Sequence, residues 1–515
     1  SSVDNQRGLL QSGEALSVHT RGGELNNRDS GERGGIVAGG DLLLSSGQID
    51  GRSGVMLGQN IRIDTHQQTF DHQQVQLGAK GILQRDSGLL NNRAGRIESG
   101  GDLQLDTHGN SLINRDSGAA GGLFSAGMLK LYSGALDNLR GFITGHSGAQ
   151  VVTGDINNQS GTLTGGKGRL DLTSGELQNQ GGLLQAGSDM TLNTQGHALI
   201  NRDSGDQRGI VALNSLDLHS GAIDNQTGFI AAGQQASLSA SELNNSQGQV
   251  AGNGGLTFNG QALNNSDGKL QSAGDITLTT AGQTLTNQRG LIAGAGNLNI
   301  ESGALDNQQG QIQGGTDLTL NAGQNALLNQ AGKLLSAGTL SLTAGQLVNN
   351  DGLVQSVGNG TLSLSQQLDN RSGMIQGGQQ MTITTPSLIN RDTRQSGKGI
   401  EAGSLTIETG TLENSQGALR AKQRLALTVQ QALDNVSGLI SSADTLTIQD
   451  SAQGQALAIN NQQGTLIADK KAQINAASLS GDGQVLSQGN LGITLAGDFH
   501  NLSEVKANGM LRLTA

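Results

Sequence analysis

One frame recurs along almost the whole chain and limits what it can fold into. It reads Leu-(Asp/Asn)-Asn-x-x-Gly-x-(Leu/Ile/Val), followed by a small-residue step with Gly, then x-Leu-x-Leu and a turn. Leu136-Asp137-Asn138-Leu139-Arg140-Gly141-Phe142-Ile143 is one copy, and Leu305-Asp306-Asn307-Gln308-Gln309-Gly310-Gln311-Ile312 and Leu368-Asp369-Asn370-Arg371-Ser372-Gly373-Met374-Ile375 are others. From Asn5 to Asn501 there are 24 such frames, about 21.6 residues apart on average, with Gly51, His72 and Gly481 standing where Asn is missing. No interval is long enough for a helical hairpin repeat.

Inside each unit the apolar residues alternate, as in Asp317-Leu318-Thr319-Leu320 and Asp275-Ile276-Thr277-Leu278. That is the period of a strand with one buried face. About 20 residues hold perhaps three short strands, too few to form a sheet alone, so each strand must pair with its equivalent in the next unit. The expected fold is all-β: a right-handed parallel β-helix of about 24 coils of roughly 20 to 24 residues, the hand following the usual crossover preference. At ~4.8 Å per coil, it would be a rod of about 115 Å.

Composition agrees with a thin-cored solenoid. Gly is 82 of 515 residues, which disfavours long helices, and six Phe, one Tyr and no Trp leave few large side chains for a thick core. The net charge of −11 comes with no basic block, so nucleic acid and anionic membrane are not expected partners. No stretch approaches a membrane-spanning helix, so no membrane insertion by this segment is expected. The opening Ser1-Ser2-Val3-Asp4-Asn5 does not read as a signal peptide. With no Cys, a disulfide framework and thiolate metal sites are excluded.

The frame asparagines are read as structural, because a requirement met in nearly every coil belongs to the coil. Asn138, Asn158, Asn179, Asn225, Asn245, Asn265, Asn287, Asn307, Asn329, Asn370, Asn414 and Asn435 are expected to stack as an amide ladder at one corner, hydrogen-bonding backbone groups exposed by the turn. The Gly three residues later is expected to supply the backbone conformation of the next bend. The chain is read as one continuous β-helix over 1–515, least regular at 59–88, where Phe70, His66 and His72 lie close together, and drifting over 465–515.

A longer period overlies the short one. Asn-Arg-Asp-Ser-Gly begins at Asn27, Asn114 and Asn201, 87 residues apart each time, and Asn390-Arg391-Asp392-Thr393 is a relative. The residues that follow (Glu32 to Gly35, Ala119 to Gly122, Asp206 to Gly209) extend the turn. Arg28, Asp29, Arg115, Asp116, Arg202 and Asp203 are therefore candidate contact residues on protruding loops, although exposed Arg and Asp are more often solvated or weakly paired.

The unit resembles the haemagglutinin repeat of filamentous haemagglutinins and of contact-dependent growth inhibition exoproteins of the CdiA type, over nearly the whole chain and most cleanly from about Leu90 to Gly464. The resemblance implies a secreted or surface protein of a Gram-negative bacterium, exported by an outer-membrane partner transporter through two-partner secretion and folded outside as a filament. Such filaments serve cell adhesion, or carry a receptor-binding region and a toxin to a neighbouring cell. The chain has the look of an internal repeat segment, since the frame is under way at Asn5 and Met510-Leu511-Arg512-Leu513 still reads as its strand.

Chemistry is hard to assemble. A polysaccharide-processing β-helix would need aromatic platforms for sugar rings. Asp64-Thr65-His66 and Asp106-Thr107-His108 have metal-ligand character, but they lie 42 residues apart, about two coils, without a third supplier. Gly39-Gly40-Asp41-Leu42 lacks the middle glycine of a calcium roll, and Thr277-Leu278-Thr279 and Thr382-Ile383-Thr384 are isolated, unlike an ice-binding array. No catalytic, metal or cofactor-binding residue is expected, and no cofactor. The role expected is a rigid extracellular stalk presenting adhesive or toxin modules, with a target-cell receptor or glycan as the alternative partner of the segment itself.

Overall fold

The computed structural model describes residues 1–205 and 207–515, and no helix occurs among them. The chain is all-β: among the described residues 64 strands pair in parallel and stack as a β-solenoid of about 24 turns. It divides into two units, Ser1–Gly260 and Gln261–Ala515. Each holds twelve frames.

In the first unit a coil is made of three short strands, for example Leu136–Asp137, Phe142–Gly145 and Gly148–Val152. Each pairs with its equivalent one coil on: Leu136 with Ile156, Ile143 with Leu163, and Ala149 with Leu170. Alternate residues point inward, so stacking coils superimposes Leu, Ile and Val in files, and Ile97, Leu123, Ile143 and Leu163 have no exposed surface. A one-residue slip would turn an entire file outward, and this is what holds the register.

In the second unit the same three strands recur in Leu305–Asp306, Gln311–Gly314 and Leu318–Asn321. Between Leu340 and Asp434 they run through their bends as single long strands such as Met374–Ile389 and Gly399–Glu413, with register shifts at Gly377/Gln380 and Thr409/Thr411. The bends there keep their ladder bonds and absorb the change in residue number at a bulge.

Two other corners are built from side chains. Where the turn is tight the inward residue is Ser before Gly, as in Ser302, whose hydroxyl donates to the Gly303 carbonyl at 3.0 Å. Where it is wider the residue is Thr, as in Thr194, whose hydroxyl donates to the His197 carbonyl three residues on at 2.6 Å. At the bend that opens the x-Leu-x-Leu strand, Asp317 Oδ1 accepts the Thr339 amide of the next coil at 2.8 Å. Asp41 does the same for Asn60, donating partners being the Asn60 side-chain amide at 2.9 Å and its backbone N–H at 3.3 Å. The Gly-Gly-Asp-Leu segments are thus inter-coil caps.

Candidate functional surface: the asparagine corner and its loops

The asparagine of each frame turns into the coil. In the first unit, Asn5 Nδ2 donates to Asn27 Oδ1, and an unbroken file runs Asn92, Asn114, Asn138, Asn158, Asn179, Asn201, Asn225, Asn245, each amide donating to the next at 2.7 to 2.8 Å. In the second unit the file runs Asn265, Asn287, Asn307, Asn329, Asn349, Asn370, Asn390, Asn414, Asn435, Asn461 at the same distances. These side chains are fully buried apart from the slightly accessible Asn5. The second hydrogen of each amide reaches backbone carbonyls, as Asn307 Nδ2 does to Lys333 O at 3.1 Å and Gly310 O at 3.2 Å. An amide suits the position because it has both a donor and an acceptor, so one residue type can repeat without leaving either unpaired. The preceding Asp or Asn faces outward and accepts the amide two residues on, as Asp306 Oδ1 does from Gln308 at 3.1 Å, which is why either residue serves there.

The glycine of the frame has a different role from the one expected. The left-handed residue of the turn is the one before it, Gln309 at φ 57°, Ala331 at 52° or Ser372 at 54°, and glycine is not required there, although Gly181 takes the place in one coil. Gly310 is needed for space: a Cβ there would overlap the Asn287 carbonyl oxygen of the previous coil and lie 2.6 Å from Asn307 Oδ1. Close approach, not φ, selects it.

The six loop residues lie along this corner. Arg28, Arg115 and Arg202 each turn to a carboxylate of the following coil: Asp50 at 3.7 Å, Asp137 at 2.8 Å and Asp224 at 2.6 Å. Asp29 accepts from Gln6 at 3.3 Å, Asp116 from Arg140 at 2.6 Å, and Asp203 from Thr227 at 2.6 Å and Gln180 at 2.9 Å. The Arg140 hydrogen bond holds the Asp116 carboxyl below the usual range, and the Thr227 and Gln180 bonds do so for Asp203. These are surface pairs of small energetic weight that tie the residues to the rail of the solenoid. The segment that loops out begins after them. The serine of the motif makes this possible: Ser30 Oγ accepts the Val55 amide at 3.0 Å, and Ser117 Oγ the Phe142 amide at 3.1 Å. In ordinary coils that amide bonds the frame glycine's carbonyl, as Leu183 N does to Gly161 O at 2.9 Å. In the third loop, Asp206 lies outside the described residues.

Within 59–88 the strands pair in register with their neighbours, and the core composition is what changes. His72 takes the asparagine position with no exposed surface, and Arg85 takes an inward position between Ile63 and Leu105 at 1% exposure. The guanidinium lies 4.2 Å over the Phe70 ring and donates to Ser87 Oγ at 2.7 Å, while its Nε and Nη1, His72 Nδ1 and Asn92 Oδ1 have no partner. The break in the ladder is legible in the sequence as the Asn missing at His72, whereas Arg85 is announced only as a polar residue in an apolar frame. Burial, reinforced by the Arg85 charge, lowers the His72 pKa to about 3. The fold therefore excludes a proton that the unfolded chain takes up near pH ~6.5. Stability should be unaffected above that pH and fall as pH drops toward the folded value, by up to about 1.4 kcal/mol per pH unit for this one proton. Denaturant melts between about pH 5 and 6.5 should show the slope rising toward that value as pH falls, and His72→Leu should flatten it. An unchanged slope in the variant would assign the proton elsewhere.

His66 and His108 do not converge. Asp86, in the coil between them and aligned with Asp64 and Asp106, is the third group that sequence spacing did not provide: ligand atoms of Asp86, Asp106 and His108 lie within 4.8 Å of one another. His108 Nε2 is 3.8 Å from Asp86 Oδ1.

No helix among the described residues is long and apolar enough to cross a membrane. The haemagglutinin repeat family model matches residues 1–67, 66–106, 106–215, 211–280, 271–328, 325–372, 437–503 and 471–515. The stretch between, 373–436, continues the same ladder through Asn390, Asn414 and Asn435. No curated protein and no solved structure matches the chain. With the family model covering well over half of its length, the chain belongs to the haemagglutinin repeat family.

Proposed function

We propose that the chain is a stiff extracellular spacer of a haemagglutinin-like exoprotein, without enzymatic activity of its own, which holds adhesive or toxin modules away from the producing cell. The observation that carries this reading is the internal hydrogen-bonded file in each unit, nine consecutive amide–amide bonds from Asn265 to Asn461 in the second. A solenoid whose every coil is bonded to the next resists bending more than a chain of linked domains. Export by an outer-membrane partner transporter of a Gram-negative cell fits a sequence with no Cys. It would fold outside, where stacking of coil on coil supplies the driving force.

The reading requires the coils to continue as one rod in solution. Small-angle scattering should give the long maximum dimension of a rod. A compact particle near the radius of gyration of ~24 Å expected for a globular chain of this length would overturn it.

A further inference from the structure

Among the positions at which the four long loops differ is the residue just before the glycine that returns the chain to its strand. Those glycines, Gly35, Gly122, Gly209 and Gly399, all have left-handed φ, from 83° to 104°. The preceding residues are Gly34, Gly121, Arg208 and Lys398. Both cations lie back over earlier coils. Arg208 Nε donates to Gly181 O at 2.7 Å, and its Nη2 donates to Gly161 O at 2.8 Å and Thr162 Oγ1 at 3.4 Å, one and two coils back. Lys398 Nζ lies 3.9 Å from Asp351 Oδ1, two coils back.

At the second loop the same frame is open. Counting from the corner residues, Ala94 corresponds to Gly181, Val75 to Gly161 and Gln76 to Thr162. These residues, with Gly121 on one wall and Glu32 of the first loop on the other, line a trough of about 490 Å³. Its acceptors match those that hold Arg208. Val75 O takes the Arg96 amide at 2.8 Å, as Gly161 O takes the Leu183 amide at 2.9 Å, and each carbonyl keeps a second lone pair. The one basic side chain in the lining, Arg96, is committed to Glu98 at 2.7 Å and to Ala120 O at 3.1 Å. Glu32 makes no ion pair among the described residues.

We propose that this trough is a docking site for an arginine side chain presented by a partner protein. The guanidinium would lie on the carbonyls of Ala94 and Val75 as Arg208 lies on those of Gly181 and Gly161, with Glu32 supplying the opposing charge. Arginine is favoured over lysine because the acceptors sit on successive coils, and a planar fork bridges two carbonyls where an ammonium is a point charge. The motif repeat thus makes slots that the chain fills itself, with Arg208 and with Lys398, and one that it leaves for a guest.

The test uses the full chain with methyl-labelled Ala and Val, titrated with N-acetyl-arginine amide and with its lysine counterpart. Saturable millimolar shifts at Ala94, Val75 and Ala120 are expected with arginine, and about tenfold weaker binding with lysine. A single Gly121→Arg change would press its Cβ to 2.7 Å from the Ser117 carbonyl, so the blocking variant carries the third loop's residues, Ala119→Asp, Ala120→Gln and Gly121→Arg, in a loop of the same length. It should abolish the shifts at Ala94 and Val75. Arg208→Gly should add a second equivalent of arginine binding. No saturable shift, equal response to the two amides, or shifts that survive the graft would each overturn the proposal. Shifts that appear on raising protein concentration without peptide would place a second copy of the chain in the trough and overturn the choice of partner.

Discussion

Asn307→Leu should destabilise the second unit by about 2 to 6 kcal/mol, because it strands two buried amide groups at about 1 to 3 kcal/mol each. Asn287 Nδ2 loses its 2.8 Å acceptor and Asn329 Oδ1 its 2.8 Å donor, while Lys333 O and Gly310 O lose the same side chain. Leu is close in size and apolar, so cavity and overpacking effects are small and the loss reports the hydrogen bonds. In a solenoid the damage is local before it is global, and amide exchange should accelerate first in the coils of Asn287 and Asn329. Gln308→Ala is the control: Gln308 is half-buried and reaches outward to Asp306 at 3.3 Å, and its loss should stay within about 0.5 kcal/mol. Similar small effects at the two positions would remove the ladder as a source of stability.

Gly310→Ala should cost about 3 kcal/mol or more, at the upper end of overpacking effects, since the added methyl meets backbone and an amide that is itself fixed in the ladder. The neighbouring Gln309→Gly should be close to neutral. Relief of the left-handed side chain, about 1 kcal/mol, is offset by the greater freedom of glycine in the unfolded chain, about 0.4 to 1 kcal/mol. Thermal or denaturant melts of the two variants separate the explanations. If the glycine were there for its φ and not for space, Gly310→Ala would cost only the roughly 1 to 2 kcal/mol of a left-handed alanine, well short of the overlap expected here.

The aspartates before the strands show how far reading along the chain can go. Asp317 and Asp41 stand out in sequence as a recurrent Gly-x-Asp-Leu or Gly-Gly-Asp-Leu step, yet the amides that donate to them lie about 20 residues away. Their purpose becomes visible once the next coil is in place. The same holds for Asp86, which has no neighbour of interest along the chain and is brought beside Asp106 and His108 by coil stacking.

By itself the sequence determined the parts of this protein that repeat. The alternation in Asp317-Leu318-Thr319-Leu320, the spacing of Asn307 from Asn287 and Asn329, and the excess of Gly over aromatic residues specify an all-β coil and its corner amide, because a requirement imposed in every turn is written many times. Tertiary structure alone decided what depends on the distance between turns. It assigned Gly310 to a close approach by Asn287, placed Arg85 inside a file of Ile63 and Leu105, laid Arg28, Arg115 and Arg202 against carboxylates of the following coil, and carried Arg208 back across two coils while leaving Gly121 beside an open trough. The physical reason is that neighbouring coils lie about 4.8 Å apart in space but some 20 residues apart in sequence, so contacts between them leave a local trace only when every coil makes the same one.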